Sequence, residues 1–419
     1  GEKEDKTIIS VSAFTKLVQN ISAEVKITNS KHREALFSSE EEYNNWLEEH
    51  AKDKVKSADV KTVNGKNTFL GIDSGSTTTK IVIIDEDGKV VLRHYRNNNG
   101  NPVGAVAEGL TEIKRELEEK NININIARTS VTGYGEDLIK AAFNMDEGIV
   151  ETMAHYRGAK AFDEKVSFIL DIGGQDMKAI FIKDGIIENI EINEACSSGC
   201  GSFIETFARG MGYKVADFAD IACESVSPCD LGSRCTVFMN SKVKQSLREG
   251  SSVANISAGL AKSVTLNCFT KVLKITDTSI LGDNIVVQGG TFKNSAVLRS
   301  VEKFLNRKVI RPDISELMGA YGCALLSLDT FKVKNEKTTF IGLDNLQEAN
   351  DYERRQLTCK GCENLCTVTR LKFKDSKSFY TGNKCERIFS NKGNKERKYG
   401  MDITQKKLSL LFERPLAPA

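Results

Sequence analysis

The same succession of strand and turn signals occurs twice in this chain, and it limits the possible folds more than any other feature. Around residues 67–97 an apolar run is followed by an Asp-x-Gly turn, a second apolar run and an Asp-Gly hairpin, and residues 166–192 repeat this order. β-Branched apolar runs separated by such turns predict strands and hairpins. Two copies of one unit predict an α/β protein in which a single fold is duplicated, with a cleft between its halves.

Composition excludes several classes of protein. The 419 residues carry 59 Lys or Arg and 57 Asp or Glu, a net charge of +2, which argues against a nucleic-acid partner. This length predicts two or three domains with a sizeable core. No apolar run approaches the ~20 residues of a membrane span, and the first residues lack the apolar core of a signal peptide. Because the chain begins with Gly1 rather than Met, we expect a processed chain or part of a longer protein.

Each copy of the repeat places an Asp-x-Gly turn where its first strand ends, at Asp73 and Asp171. Glycine lets the backbone approach a phosphate, and neighbouring N–H and hydroxyl groups donate to phosphate oxygens. Each Asp is placed to hold hydrated Mg²⁺ between the halves, and a glycine pair after the strand at 284–290 suits a nucleoside or its α-phosphate. We therefore predict a site for ATP or ADP with Mg²⁺. Its cofactor-binding residues are Gly75, Ser76, Thr77, Thr78, Lys80, Gly173, Gly174, Gly289, Gly290 and Lys293.

These motifs resemble those of the actin, Hsp70 and sugar-kinase ATPases. LGIDSGSTTTK is similar to the first phosphate motif of that superfamily, DIGGQD to the second, VVQGG to the adenosine motif and MGAYGCAL to a hinge motif, whereas no Walker A pattern is present. The resemblance implies an α/β fold of two duplicated, RNase H-like lobes. We expect lobe I at 67–160 and lobe II at 161–334.

Two cysteines each precede a predicted helix inside this framework. Cys196 lies just before a helix that starts near Gly199, and Cys235 lies just before a second helix. The dipole at a helix N-terminus favours the thiolate, which is the form that binds iron. Two cysteines cannot complete a [4Fe–4S] cluster, but a two-fold homodimer supplies four ligands. A further cysteine, Cys200, follows one turn after Cys196 and is close enough to approach such a cluster, although a small buried side chain is the commoner role.

The cysteine pair inside an ATPase framework resembles the 2-hydroxyacyl-CoA dehydratase activators and the BadF/BadG-type benzoyl-CoA reductase ATPases, over about residues 67–330. The resemblance implies ATP-dependent transfer of one low-potential electron from a ferredoxin or flavodoxin to a partner iron–sulfur enzyme in anaerobic metabolism. It also implies that Cys196 and Cys235 hold the cluster, that Asp73 and Asp171 contact metal and phosphate, and that Gln175 orients the attacking water. The helix–cluster–helix insertion is expected at 196–250.

A second group of cysteines lies in the charged segment at 335–419. Its members are Cys359, Cys362, Cys366 and Cys385. Four cysteines, three of them on one loop, fit a tetrathiolate site for Zn²⁺ or a second [4Fe–4S] cluster, of which we favour the cluster. The eleven cysteines of the chain are too sparse for a disulfide scaffold, so we expect a reducing, cytoplasmic environment.

The two ends of the chain point to a subgroup of the family. Residues 1–66 are charged, contain one helical pattern at 38–52, and are interpreted as a linker or docking segment with a solvated helix. With the Cys-rich tail, this layout resembles the second ATPase module of large multidomain activator-type proteins, in which another activator module precedes and a dehydratase-like region follows.

Two rival functions remain open from the sequence. A small-molecule kinase of the same fold, such as an amino-sugar kinase, would need a general-base Asp facing a sugar pocket and would not need paired cysteines. An ATP-driven scaffold of the Hsp70 or actin kind would bind no iron. His155, within ETMAHYRGA, is expected to be structural rather than catalytic, because a histidine within a helix more often is.

Overall fold

A computed structural model describes residues 34–194, 197–373, 378–391 and 404–412. The internal contacts divide the chain into one unit that ends at Leu346 and a second that begins at Gln347. The first unit holds two mixed β-sheets with their helices, which we call the first and second lobes. This unit extends past residue 334, where the sequence analysis ended it, because Thr338 and Thr339 hydrogen-bond to Asp146 of the first lobe.

Residues 34–66 form an ordered segment, which we call the N-terminal strap. Its helix α1, Glu40–His50, begins at Ser39, whose hydroxyl accepts a hydrogen bond from a backbone N–H of the first turn, and acidic residues fill that turn. Trp46 and His50 are buried against Glu302 of the second lobe. The expected solvated helix at 38–52 is therefore wrong: its apolar side chains join the second lobe's core and leave water. Residues 1–33 lie outside the described residues.

The first lobe is built on a five-stranded sheet in the order β3-β2-β1-β4-β5. The strands β1, β2 and β3 pair antiparallel, whereas β4 and β5 run parallel to β1. The strands are β1 Asn67–Ser74, β2 Thr78–Ile84, β3 Val90–Asn97, β4 Asn125–Thr132 and β5 Glu147–Gly148. The helices are α2 Pro102–Glu119, α3 Glu136–Phe143 and α4 Glu151–Lys160.

The second lobe has the same pairing pattern on a four-stranded sheet in the order β8-β7-β6-β9. Here β6, β7 and β8 pair antiparallel and β9 runs parallel to β6. The strands are β6 Phe168–Ile172, β7 Met177–Lys183, β8 Ile186–Asn193 and β9 Ile285–Gln288. The helices, which share one apolar core with this sheet, are α5 Gly201–Gly210, α6 Val215–Cys223, α7 Thr236–Arg248, α8 Val253–Leu266 and α9 Ser295–Leu305.

The helix α10, Met318–Lys334, returns to the first lobe and covers its sheet. A Cβ atom added to Gly71 of β1 would lie 2.0 Å from the Ala320 carbonyl oxygen. The hydroxyls of Ser130 and Ser327 are 2.6 Å apart between β4 and α10. The expected second lobe at 161–334 is thus wrong over its last helix. Apolar side chains lie on most sides of α10, so its sequence does not indicate which sheet it covers.

The second unit contains a three-stranded antiparallel sheet in the order β10-β11-β12. Its strands are β10 Tyr352–Thr358, β11 Thr367–Phe373 and β12 Ser378–Thr381, and the helix α11, Thr404–Phe412, follows. The loop between β10 and β11 is closed by a hydrogen bond from the Cys359 N–H to the Cys366 carbonyl. Within the described ranges, no helix is long and apolar enough to cross a bilayer.

The close contact between β1 and α10 predicts the effect of Gly71→Ala. The added methyl group would overlap the backbone of α10, so we expect the free energy of unfolding to fall by about 3 kcal/mol, at the upper end of the usual cost of overpacking. Urea denaturation measures it. The matched control is Gly210→Ala, where an added Cβ meets no heavy atom within 4 Å. Equal stability of the two variants would contradict the packing of α10 on β1.

Candidate functional site

In the first lobe, Asp73 lies at the end of β1 and its carboxylate is buried. Lys80 is its register partner on β2, and the Lys80 Nζ lies 3.0 Å from Asp73 Oδ2. Burial lowers the pKa of Lys80, but the carboxylates of Asp73 and Asp171 outweigh it, so the pKa is raised and the lysine stays charged. The buried negative charge of Asp73 is thus compensated by a permanently charged neighbour.

The turn after Asp73 is held in shape by Asn98. The Asn98 side chain donates to the Gly75 carbonyl at 2.7 Å and accepts from the Thr79 hydroxyl at 2.6 Å, while its N–H donates to the Thr77 carbonyl. Ser76 and Thr77 remain exposed at the tip, and Thr78 is half-buried at the start of β2. The predicted first phosphate turn therefore presents hydroxyl groups to solvent on a rigid backbone.

In the second lobe, Asp171 lies at the end of β6 with Lys178 as its register partner on β7. The following turn is joined to the helix α5 by hydrogen bonds from Gly201 N to the Gly173 carbonyl and from Ser202 N to the Gly174 carbonyl. Gly174 and Gln175 are exposed at the turn. The two lobes therefore use one arrangement, an Asp at a strand end with a Lys opposite it on the next strand.

His155 of α4 lies beside the second carboxylate. Its Nε2 is 3.7 Å from Asp171 Oδ2. A Cβ added to Gly319 would lie 3.0 Å from Asp73 Oδ2 and 3.3 Å from His155 Nε2. Asp73 and Asp171 therefore border the same small space, which stays open because Gly319 has no side chain.

The charge around His155 is balanced by buried partners. Its Nδ1 lies 2.8 Å from Gln288 Oε1, and its Nε2 lies 3.6 Å from Glu151. Burial would lower the pKa of His155, but Asp171 and Glu151 raise it to about 9. Burial likewise would raise the pKa of Glu151, yet His155 and Lys178 lower it to about 2. Burial raises the pKa of Asp171 against the opposing effect of His155 and Lys178.

Sequence reasoning missed three members of this group, Glu151, Lys178 and Gln288. A signal for Lys178 was available, because the spacing from Asp171 to Lys178 equals that from Asp73 to the predicted Lys80. The spacing of Glu151 and His155 on one face of a helix was a weaker signal. His155, expected to be structural, is buried with its Nε2 3.7 Å from Asp171 Oδ2, and its role stays a prediction.

The third glycine motif lies beside the second carboxylate. Gly289 has a φ of +91°, and an added Cβ would lie 2.7 Å from Asp171 Oδ1, so the position requires glycine. Gly290 is exposed. Lys293 is also exposed and pairs with Glu316 at 2.5 Å. All three predicted glycine turns thus converge on the two Asp residues, whereas the Lys293 ammonium is held by a carboxylate outside that group.

The residues fit a nucleotide with a divalent cation. Asp73 Oδ1 is buried and accepts no hydrogen bond from any residue that the structure describes. A buried carboxylate oxygen without a donor is costly, and a hydrated Mg²⁺ ion would satisfy it. Over the described part of the chain, no three His, Cys, Asp or Glu side chains are grouped closely enough to hold a metal by themselves. Phosphate oxygens would complete the coordination that two carboxylates begin.

Of the two predicted cluster ligands, Cys235 can be located. It precedes α7 directly, and its thiol is exposed beside the exposed apolar side chains of Val237 and Phe238. Cys196 lies outside the described residues. An exposed thiol at a helix N-terminus has the chemistry that iron requires. Cys200, by contrast, is fully buried at the start of α5 in the second lobe's core.

Asn267 joins the two cysteine-bearing turns, and no local sequence signal indicated it. This buried side chain donates to the carbonyls of Ser198 and Arg234, each at 3.1 Å. It begins a π-helical turn, Asn267–Val272, a backbone form that is often found at functional sites. The backbone next to Cys235 is therefore tied to the turn that follows Cys196.

The C-terminal cysteines do not form an assembled metal site in the structure. Cys359 is buried, Cys366 is half-buried, and Cys362 and Cys385 are exposed. These four belong to the described residues, among which no group able to hold a metal is present. A tetrathiolate site there stays a prediction.

The comparisons with known proteins agree with this geometry. The model of the BadF/BadG/BcrA/BcrD ATPase family matches residues 70–327. The chain belongs to this ATPase family. Its match spans both lobes and excludes the N-terminal strap and the second unit.

Two curated relatives are dehydratase activators. The chain is 30% identical over 256 residues to the (R)-2-hydroxyglutaryl-CoA dehydratase activating ATPase of Acidaminococcus fermentans, a match that covers 61% of this chain and 95% of that protein. It is 31% identical over 269 residues to the 2-hydroxyisocaproyl-CoA dehydratase activator of Clostridioides difficile, covering 63% and 96%. The structure of a Clostridium difficile activator with bound ADPNP superposes with a TM-score of 0.57 at 28% identity, over 66% of this chain and 99% of that one. The predicted α/β ATPase fold is confirmed.

The buried Asp73–Lys80 pair predicts the result of Lys80→Met. Removing the cation leaves Asp73 buried without its partner, so we expect the free energy of unfolding to fall by about 3 kcal/mol. Adding Asp73→Asn to the variant removes the unpaired charge and should recover most of that loss. Urea denaturation at pH 7 measures both.

The control for this pair is Lys89→Met, which removes an exposed lysine paired with an exposed Asp87 and should leave stability unchanged. If Lys80→Met unfolds at the same urea concentration as Lys89→Met, the Asp73 carboxylate is not dependent on Lys80.

Proposed function

We propose that this protein hydrolyses ATP to drive a low-potential electron from a ferredoxin or flavodoxin to a partner iron–sulfur dehydratase or reductase of the 2-hydroxyacyl-CoA dehydratase type. The observation that carries the proposal is the exposed Cys235 thiol at the start of α7, in a chain of an ATPase family with dehydratase activators among its members. A kinase or an ATP-driven scaffold would have no use for this thiol.

In this proposal the nucleotide binds between the two phosphate turns. Asp73 and Asp171 would hold Mg²⁺, which would neutralise phosphate charge, and the Lys80 ammonium pairs with the Asp73 carboxylate. The backbone N–H groups of the residues that follow Gly75 and Gly173 in each turn donate to phosphate oxygens. The exposed Gln175 orients the attacking water. Gly289 and Gly290 contact the nucleoside side of the ligand.

His155 has a supporting part in the same proposal. Its Nε2 lies closest to Asp171 and Glu151 among the described carboxylates, and its Nδ1 is fixed by Gln288, the residue just before the third glycine turn. A protonated His155 would hold the second carboxylate in place while the cation and phosphates bind. The imidazolium would also offset part of the like-charge repulsion between Asp171 and Glu151.

The proposed cluster ligands are Cys235 and Cys196 from each of two copies of the chain. Two thiolates per chain supply half of the four that a [4Fe–4S] cluster takes, so the site requires a homodimer. Bound there, the cluster would supply a one-electron carrier of low potential.

The second phosphate turn is linked to the cysteine region by α5. Gly201 N and Ser202 N donate to the carbonyls of Gly173 and Gly174. A shift of this turn on nucleotide binding would therefore displace the first residues of α5. The turn at Ser197–Gly199 immediately precedes that helix. This contact is the route by which we propose that ATP occupancy alters the surroundings of the cluster ligands.

Three finer features are also proposed. The two lobes are copies of one RNase H-like fold, with α5 to α7 inserted in the second. The chain corresponds to the second ATPase module of a multidomain activator. The cysteines Cys359, Cys362, Cys366 and Cys385 hold a second [4Fe–4S] cluster or Zn²⁺.

Metal analysis tests the proposed function. Anaerobically purified protein is assayed for iron, zinc and sulfide per chain, with an EPR spectrum after reduction. About two irons per chain are expected from one cluster shared by a dimer, about six if the C-terminal cysteines hold a second cluster, and two irons plus one zinc if they hold Zn²⁺.

Variants assign the iron to its ligands. Cys235→Ser should remove about two irons per chain while ADP binding in the presence of Mg²⁺ is retained. The control is Cys229→Ser, a half-buried cysteine of the same lobe to which no ligand role is given, and it should keep its iron. Zinc alone after attempted cluster reconstitution would remove the redox function and return the question to a kinase or a scaffold.

A further inference from the structure

The N-terminal strap lies outside the part of the chain that matches the ATPase family, yet it contacts both lobes. Its first anchor is on the second lobe. Glu302 of α9 is buried, and its carboxylate accepts hydrogen bonds from Trp46 Nε1 and from His50 Nε2, the latter at 3.0 Å. Glu302 thereby holds two side chains one turn apart on α1, so this end of the strap is fixed in position and in rotation.

A second contact strengthens this anchor. The Arg299 guanidinium lies 5.0 Å from the centre of the Phe37 ring, donates to the Leu36 carbonyl at 3.1 Å and pairs with Glu42. Phe37 and Trp46 pack edge to face with their ring centres 5.2 Å apart. The aromatic side chains of the strap are thus part of the second lobe's core rather than a surface layer.

The middle of the strap is bonded to the connection between the lobes. After α9 the chain runs through residues 306–317 to α10 on the first lobe. In this connection the Asp313 N–H donates to the Asp53 carbonyl at 3.0 Å, and Asp313 Oδ1 accepts from the Val55 N–H at 2.7 Å. The strap therefore follows this connection from one lobe to the other.

The last anchor is on the first lobe. The Val90 N–H of β3 donates to the Lys56 carbonyl at 2.8 Å, and the Ala58 N–H donates to the Val90 carbonyl at 3.0 Å. Val60 and Val63 are buried beyond this point. The pairing extends the edge of the first sheet, so it is made of backbone bonds, which no substitution except proline removes directly.

The strap has no spare residues between its last two anchors. Val55 and Lys56 are consecutive, yet the first is bonded to the interlobe connection and the second to β3. A second connection between the lobes, residues 161–167, joins α4 to β6. A cavity of about 350 Å³ is lined by His50 and Asp53 of the strap, by Asp163 of this second connection and by Ile310. The strap thus runs beside both connections as a third stretch of chain that passes from one lobe to the other. Rotation between the lobes must therefore stretch the strap or break the hydrogen bonds of one of its anchors.

We propose that the N-terminal strap restrains rotation between the two lobes and thereby slows the exchange of nucleotide. The inference rests on the proposed nucleotide site between Asp73 and Asp171. Opening of that site requires the lobes to separate at the connections that the strap follows. Each anchor that must break before the lobes move adds to the barrier for release of ADP.

The test is to give the strap slack without removing any anchor. Four residues, Gly-Gly-Ser-Gly, are inserted between Val55 and Lys56 in the full chain, and release of a fluorescent ADP analogue is followed by stopped flow with Mg²⁺. We expect release to become about fivefold faster, the rate equivalent of one net hydrogen bond. Trp46 is the single tryptophan of the chain, so an unchanged emission spectrum verifies that α1 stays bound to the second lobe.

Two further variants make the result specific. The same insertion between Gly342 and Leu343, where an added Cβ at Gly342 meets no heavy atom within 4 Å, is the control and should leave release unchanged. Ala58→Pro removes the N–H that the strap donates to Val90 and should accelerate release in the same direction as the slack insertion. Urea midpoints of all variants separate a local effect from loss of the fold.

The outcomes distinguish the strap from the nucleotide site. If the unaltered chain binds the ADP analogue but the slack insertion releases it at the unaltered rate, the restraint is overturned and the nucleotide site stands. If the folded, unaltered chain binds no ADP analogue with Mg²⁺, the restraint and the proposed nucleotide site are both overturned. Equal acceleration by both insertions also overturns the restraint, since slack in the strap would then not be the cause.

Discussion

Two buried carboxylates at strand ends, Asp73 and Asp171, impose the arrangement around them. A charge that leaves water needs a partner, and each lobe provides a lysine directly opposite on the next strand. Between the Asp73 carboxylate and the His155 ring there is no room for a side chain, and α10 supplies Gly319 at that place. α10 packs on the first sheet, α4 is buried, and the two lobes lie close together. Together these three features enclose the small volume in which the charged groups are concentrated.

Local patterns allowed much of the fold to be predicted. Strands β1 to β3 and β6 to β8 follow from β-branched runs. The Asp87-Gly88 and Asp184-Gly185 hairpins follow from turn residues, of which Gly88, Asp184 and Gly185 adopt positive φ in the structure. The three glycine turns were also visible, because phosphate-type loops require glycine at fixed places after a strand. Such signals are short stretches of sequence, so they can be recognised in a single chain without information on its tertiary contacts.

What escaped prediction depends on contacts between distant residues. The partner of Trp46 and His50 is Glu302, and nothing in the charged sequence around α1 indicates a carboxylate on α9. The side chain of His155 meets Gln288 from another lobe, so its surroundings follow only from how the lobes meet. The sequence of α10 is apolar on most sides and by itself fits either sheet. Its placement depends on contacts with distant residues, such as the close approach to Gly71 and the Ser130–Ser327 hydroxyl pair.

In the second lobe, hydrogen bonds connect the predicted phosphate turn to the backbone beside Cys235. From the phosphate turn at Gly173 and Gly174, bonds lead to the N-terminus of α5, and the preceding turn at Ser198 is bonded through Asn267 to the Arg234 carbonyl beside Cys235. This network is continuous and consists of backbone groups and one buried amide, which have few alternative partners once they leave water. A displacement of the phosphate turn would therefore be transmitted through these hydrogen bonds rather than absorbed by a flexible loop. The strap holds the same lobe through α9. In the proposed mechanism, motion at the nucleotide site would be transmitted to the cysteine turns or resisted by the strap at the interlobe connection, and the balance between the two would set how far the lobes move.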